Sequence, residues 1–110
     1  MLLPRGDRAR VDDRKLLQYI LSPTHAHGRT HVLLFEQLLG INLSNADVLR
    51  SALLQAARSG DATLAEASNF GTKFEIRFSL QGPRGQYTVL SVWLIESDND
   101  SPRLVTAYIE

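Results

Sequence analysis

The sequence predicts an α+β fold, with three helices packed on one face of a three- to four-stranded antiparallel sheet in the order α-α-α-β-β-β. Up to about residue 59, apolar residues recur at helical spacing. From Phe74 onward they alternate with polar residues at the two-residue period of a strand. Helices and strands that are segregated along the chain are typical of the α+β class. A chain of 110 residues is long enough for one hydrophobic core, so we expect a single domain over residues 1–110.

The three helices are predicted from apolar stripes and from end signals. The first, over residues 13–21, begins at Asp12-Asp13 and stops before Pro23. The second, over residues 29–39, ends at Gly40. The third, over residues 45–59, is capped by Ser44 or Asn45. Residues 1–12 are predicted to be an irregular or extended arm, and residues 61–72 a linker with at most a short helical turn.

Three strands follow from the change of period. Residues 73–80 alternate and predict a half-buried strand. Residues 81–86 form a hairpin loop, and residues 87–95 are apolar on both faces, which is typical of a central strand. A polar turn then leads to a last strand over residues 103–110.

The two-residue period also assigns the side chains of the strands to faces. The side facing the helices is predicted to carry Phe74, Ile76, Phe78, Leu80, Leu90, Val92, Leu94, Val105, Ala107 and Ile109. The opposite face is predicted to carry Glu75, Arg77, Ser91, Trp93, Thr106 and Tyr108. Such a face suits a nucleotide, since rings stack on bases, arginine binds phosphate and hydroxyls donate hydrogen bonds. The alternative is an ordinary solvated face on which a loop or a partner shields Trp93.

Composition excludes several classes of protein. The chain has no cysteine, which rules out disulfides, thiolate zinc sites and cysteine nucleophiles and is compatible with the cytoplasm. No apolar run approaches the length of a membrane span, and we expect no signal peptide. The net charge is zero, but basic residues concentrate near the histidines and would attract phosphate or simply form a solvated face. These basic residues are Arg5, Arg8, Arg10, Arg14, Lys15 and Arg29.

All three histidines lie within the segment from His25 to His31. Histidine accepts and donates protons near neutral pH, so His25 and His31 could act as acid and base in metal-free cleavage of RNA. Arg29 and Arg77 would then stabilise the charge on the phosphate. A metal site formed with His27 is a second interpretation, but no acidic residue lies nearby in sequence and we expect no metal. A structural role for each histidine is the third.

A family resemblance supports the first interpretation. The segment His25-x-x-Gly28-Arg29-x-His31-x-x-x-Phe35 resembles the H-x-x-G-[RK]-x-K-x-x-x-F signature of a family of small bacterial proteins, a domain of unknown function. The resemblance extends over nearly the whole chain, through Leu2-Leu3-Pro4, Asp13-x-Lys15-Leu16, Gly82-Pro83-x-Gly85, Ser91-x-Trp93 and residues 102–108. It implies a free-standing protein or a C-terminal module of a toxin, often encoded beside a small partner. His31 replaces the lysine of the signature, which would make activity depend on pH or alter it.

The order of elements is also similar to that of the ribonuclease toxins that include barnase, RelE and the colicin tRNases. We therefore expect a cytoplasmic, metal-independent endoribonuclease with no cofactor, and RNA and a cognate antitoxin or immunity protein as partners. The expected catalytic residues are His25, His31, Arg29, Arg77, Thr106 and Tyr108. The expected substrate-binding residues are Trp93, Ser91 and Lys15. The alternative is a non-catalytic protein-binding module of a toxin–antitoxin or toxin–immunity pair, in which the aromatic sheet face would dock a protein.

Overall fold

Three helices precede four strands in the structure, which is a computed structural model. It describes residues 1–21, 29–97 and 100–110, and at residues 29–31 it describes the backbone alone. This confirms the predicted α+β class and the order α-α-α-β-β-β. Within these residues no single helix is long and apolar enough to cross a membrane, although the bent pair Val32–Leu39 and Leu43–Ser59 meets the length and composition requirements when both halves are combined.

The three helices lie close to the predicted ranges. Helix α1 spans residues 13–20 and widens into π-helical turns over Leu16–Ile20, after which the Leu21 N–H donates to the Leu16 carbonyl at 2.9 Å. Helix α2 spans residues 29–39, and Gly40 ends it with a positive φ of 74° that favours glycine. Helix α3 is Ala46–Ser59.

The start of α3 is stabilised differently from the prediction. Asn45 occupies the predicted position before α3, but its side chain makes no capping bond to that helix. Instead Asn45 and Asn42 cap the preceding 3₁₀ turn reciprocally. The Asn45 Oδ1 accepts from the Asn42 N–H at 2.8 Å, and the Asn42 Oδ1 accepts from the Ser44 N–H at 2.9 Å.

The sheet is an antiparallel meander in the order β1-β2-β3-β4. Its strands are Ala62–Ser68 (β1), Gly71–Gln81 (β2), Gln86–Ile95 (β3) and Arg103–Ile109 (β4). The prediction that residues 61–72 form a linker is wrong, because β1 pairs with β2. All of β1 except Ala62 is exposed, so hydrogen bonds to β2 stabilise this strand without an apolar stripe that the sequence could show.

The pairing of β2 with β3 corrects the predicted faces of the central strand. Phe74 lies opposite Trp93 and Ile76 opposite Ser91, and directly paired residues share a face. Alternate residues of β3 therefore face the helices, namely Val89, Ser91, Trp93 and Ile95, and all four are buried. The prediction that Leu90, Val92 and Leu94 face the helices is wrong, because β3 is apolar at both parities and its register decides between them.

Strand β4 follows the prediction with one local change. Ala107 and Ile109 contact the core as predicted. An irregularity in the pairing between Val92 and Trp93 places Leu104, rather than Val105, in the core. On the other side of β4, Arg10 forms a parallel bridge with Arg103, so the N-terminal arm covers part of that edge of the sheet.

Candidate functional site

Three of the predicted catalytic residues lie on the face of the sheet that points away from the helices, which we call the open face. Arg77 of β2 and Tyr108 of β4 both pair with Leu90 of β3, so these side chains form one row across three strands. Thr106 lies one row away, opposite Val92. Strand pairing therefore brings a guanidinium, a phenol and a hydroxyl onto one surface.

Two carboxylates bind Arg77 on this face. The Arg77 Nε lies 2.6 Å from Oε1 and 3.0 Å from Oε2 of Glu110, and its Nη1 lies 3.8 Å from Oε1 of Glu75. The hydrogen bond and the charge of Glu110 raise the pKa of Arg77, while desolvation acts in the opposite direction. Smaller increases in this pKa come from Glu75 and then from Tyr108. Arginine stays protonated in proteins, so the guanidinium is a permanent cation that lies beside two proton acceptors.

Leu90 provides an apolar floor beneath these polar groups. It is only 2% exposed although it points away from the core formed with the helices. We infer that its cross-strand neighbours Arg77 and Tyr108 cover it, since long side chains on adjacent strands lie within contact distance of the residue between them. The charged groups above it remain in contact with water, since the Arg77 side chain is 51% exposed and that of Glu110 is 40% exposed.

Trp93 and Ser91 do not belong to the open face, and their predicted position there is wrong. Both side chains are fully buried on the helix-facing side. The Trp93 Nε1 donates to the Ser91 Oγ at 2.9 Å, and the Ser91 hydroxyl donates to the Ile76 carbonyl oxygen at 2.9 Å. These hydrogen bonds satisfy the polar atoms of a buried pair. Trp93 therefore presents no ring face on which a base could stack.

The histidine segment lies mostly outside the described residues. His25 and His27 belong to residues 22–28, and at Arg29 and His31 only the backbone is described, as part of α2. Helix α2 contacts β4, the strand that carries Thr106 and Tyr108. In the part of the chain that the structure describes, no three potential ligands among His, Asp, Glu and Cys come close enough to hold a metal ion.

Lys15 lies elsewhere, at the end of the sheet where β4 begins. Its ammonium group lies 4.7 Å from the centre of the Tyr19 ring, a cation–π contact one helical turn away. Lys15 also lines a surface groove that reaches Arg103 and Leu104. Tyr108 lies five residues along the strand from Arg103, which corresponds to about 17 Å. Lys15 and the row of Arg77 and Tyr108 are therefore separate parts of the surface.

Sequence reasoning missed one member of the open-face group. Glu110 was not among the predicted site residues, although it has the same parity as Thr106 and Tyr108 in the last strand. Glu75 was assigned to the correct face but given no role. A search for carboxylates with the parity of the candidate arginine and tyrosine would have found both, but only the strand pairing shows that they share Arg77.

A family model for a domain of unknown function, DUF6883, matches residues 2–110. The chain therefore belongs to the DUF6883 family, which confirms membership of a family of unknown function but carries no evidence on toxins or ribonucleases. No curated protein and no solved structure shows significant similarity to the chain.

Proposed function

We propose that this DUF6883 domain is a cytoplasmic, metal-independent endoribonuclease of a bacterial toxin system that cleaves RNA on the open face of its sheet. The observation that supports the proposal is the group formed by Arg77 with Glu75, Glu110, Thr106 and Tyr108. It combines a permanent cation, two proton acceptors and two hydroxyl donors on a surface that the helices do not cover. A phosphodiester needs these groups when it is cleaved without a metal.

The chemistry divides among the proposed residues as follows. A base removes the proton of the 2′-hydroxyl, whose oxygen attacks phosphorus, and an acid protonates the departing 5′-oxygen. His25 and His31 are the proposed acid and base, in either order. Arg77 and Arg29 bind the phosphate oxygens, since arginine matches their geometry. At Arg77 the phosphate replaces Glu110, whose carboxylate occupies the guanidinium in the free protein. Thr106 and Tyr108 donate hydrogen bonds to the phosphate.

The described geometry favours this proposal over docking of a protein on the same face. A docking surface would present a contiguous apolar patch. Here the apolar side chains of β3 on that face are buried at Leu90 and only half-buried at Val92 and Leu94, and Trp93 lies on the other side of the sheet. Polar groups converge instead, as an active site requires.

The direct test is incubation of the purified protein with total RNA in excess EDTA, followed by sequencing of the cut ends. We expect cleavage that the chelator does not affect. A requirement for a divalent ion would reject the mechanism, and an absence of cleavage by the free protein on any RNA would reject the function.

Substitutions on the open face then test the site. Tyr108→Phe and Arg77→Gln should reduce cleavage by at least about tenfold, because each removes a bond to the phosphate that strengthens as charge develops. Tyr87→Phe and Arg58→Gln are matched controls, since both residues are exposed and lie outside the group. Equal loss in the control variants would show that the effect is not specific to the open face.

The second candidate function is that of a protein-binding module, and a surface other than the open face favours it. Strand β1 is an edge strand among the described residues, Leu64 on it is 56% exposed, and Phe70 at the following turn is 87% exposed. A cognate antitoxin or immunity protein could add a strand to such an edge. Stoichiometric binding of the product of an adjacent gene, lost in the variant Phe70→Ser, would support this role. Binding that is unchanged in that variant would reject this surface.

A further inference from the structure

A groove of about 720 Å³ lies between the N-terminal arm and the beginning of β4, away from the Arg77 group. We call it the basic groove. Its lining residues are Arg10, Val11, Asp12, Asp13, Arg14, Lys15, Arg103 and Leu104. The bridge between Arg10 and Arg103 forms one wall, because the Arg10 carbonyl accepts from the Leu104 N–H at 3.0 Å and its N–H donates to the Pro102 carbonyl at 2.9 Å. The arm is therefore held against the sheet at this point.

The two acidic residues that line the basic groove, Asp12 and Asp13, bind groups other than the side chains of its cations. Asp12 caps α1, with its Oδ1 accepting from the Arg14 N–H at 2.8 Å. Asp13 forms an ion pair with Arg50, outside the groove. Among the described residues, neither carboxylate forms an ion pair with a cation that lines the groove.

The cations of the groove are less well neutralised. Arg103 forms an ion pair with Glu96 at 2.8 Å. Within residues 1–21, 29–97 and 100–110, no carboxylate lies within ion-pair distance of Arg10, Arg14 or Lys15. The basic groove thus holds three positive charges, on Arg10, Arg14 and Lys15, that no carboxylate of the described residues pairs with. Such a concentration of unpaired positive charge attracts an anion from outside the protein.

We propose that the basic groove binds the phosphodiester backbone of single-stranded RNA, as a positioning site distinct from the site of cleavage. The choice of RNA rests on the proposed function, whereas the binding of a polyanion rests on the charges alone. Strand β4 links the two surfaces, since Arg103 and Leu104 border the groove and Tyr108 lies about 17 Å further along the strand. One extended RNA strand could contact both.

The salt dependence of binding gives the expected magnitude. Each cation that neutralises a phosphate of a single strand contributes about 0.7 to the slope of log K against log salt. The three cations of the groove that have no ion pair, Arg10, Arg14 and Lys15, then give a slope of about −2.1, so affinity falls about 18-fold between 50 and 200 mM salt. Removing one cation should weaken binding about 8-fold at 50 mM salt.

The experiment measures fluorescence anisotropy of a labelled oligouridine with 2′-O-methyl groups, which the full chain can bind but cannot cleave. Arg14→Gln is compared with Arg58→Gln, since both arginines are exposed, helical and without a described ion pair. The triple variant Arg10→Gln/Arg14→Gln/Lys15→Gln should lose most of the salt dependence. Thermal melting checks that each variant folds. If the triple variant does not fold, the comparison of Arg14→Gln with Arg58→Gln decides the result.

The outcomes separate this inference from the proposed function. Weaker binding and a smaller slope in Arg14→Gln, with Arg58→Gln unchanged, support the groove even if the protein cleaves no RNA. Equal affinity in both variants overturns the groove, even if the protein cleaves RNA in EDTA. Binding of poly-glutamate at the groove in preference to the oligonucleotide also overturns it, since the ligand would then be an acidic protein.

Discussion

The buried hydrogen bonds of Ser91 provide the sharpest test of the sheet register. The Ser91 hydroxyl accepts from the Trp93 Nε1–H and donates to the Ile76 carbonyl, and both side chains of β3 are fully buried. Ser91→Ala removes one oxygen and leaves the indole N–H in the core without its partner. The substitution adds no atom, so it tests the hydrogen bonds rather than packing.

The expected cost follows from the burial. An orphaned buried donor costs about 1–3 kcal/mol, whereas an exposed hydroxyl costs far less. We expect Ser91→Ala to lower the free energy of unfolding by about 2 kcal/mol, and the melting temperature by about 8 °C at this chain length. Ser51→Ala is the control, because Ser51 is exposed on α3 and its removal should stay within about 0.5 kcal/mol.

The assay is urea unfolding followed by circular dichroism, with a double-mutant cycle through Trp93→Phe. Phenylalanine has no N–H, so Ser91→Ala should cost about 1 kcal/mol less when it is combined with Trp93→Phe. Trp93 is the one tryptophan of the chain, and its native fluorescence should be shielded from acrylamide. Strong quenching in the native state, or a cost below about 0.5 kcal/mol for Ser91→Ala alone, would refute the register.

Three further predictions concern the backbone and the mechanism. Gly40→Ala should destabilise the protein by about 1–2 kcal/mol, measured by thermal melting, because alanine is strained at a φ of 74°. Gly6→Ala should cost about 1–3 kcal/mol in the same assay, since the new methyl group would overlap a backbone carbonyl of α3, and an unchanged melting temperature would contradict that contact. His25→Ala should reduce cleavage of RNA about 10²–10⁴-fold, with His27→Ala as the control, and the rate against pH should be bell-shaped because one of His25 and His31 must begin neutral and the other charged. A monotonic profile would reject that pair.

The sequence by itself determined which kind of element forms where the pattern is unambiguous. A stripe at helical spacing, a terminal glycine at residue 40 and the strict alternation of residues 73–80 each permit one local structure. The same alternation placed Arg77 on the open face, and the alternation of β4 placed Thr106 and Tyr108 there. Local periodicity suffices at these positions because residues 73–80 and 106–109 each have one polar and one apolar side.

The tertiary structure decided those features for which the local pattern permits two outcomes. β3 is apolar at both parities, so only its register with β2 shows that Trp93 is buried and Leu90 is not part of the helix-facing core. β1 has no apolar stripe and exists because β2 offers it backbone hydrogen bonds. The ion pair of Arg77 with Glu110 joins residues 33 positions apart, and the Arg10–Arg103 bridge joins the N-terminal arm to the last strand. Contacts between distant segments depend on the packing of the whole chain, and a local pattern does not encode them.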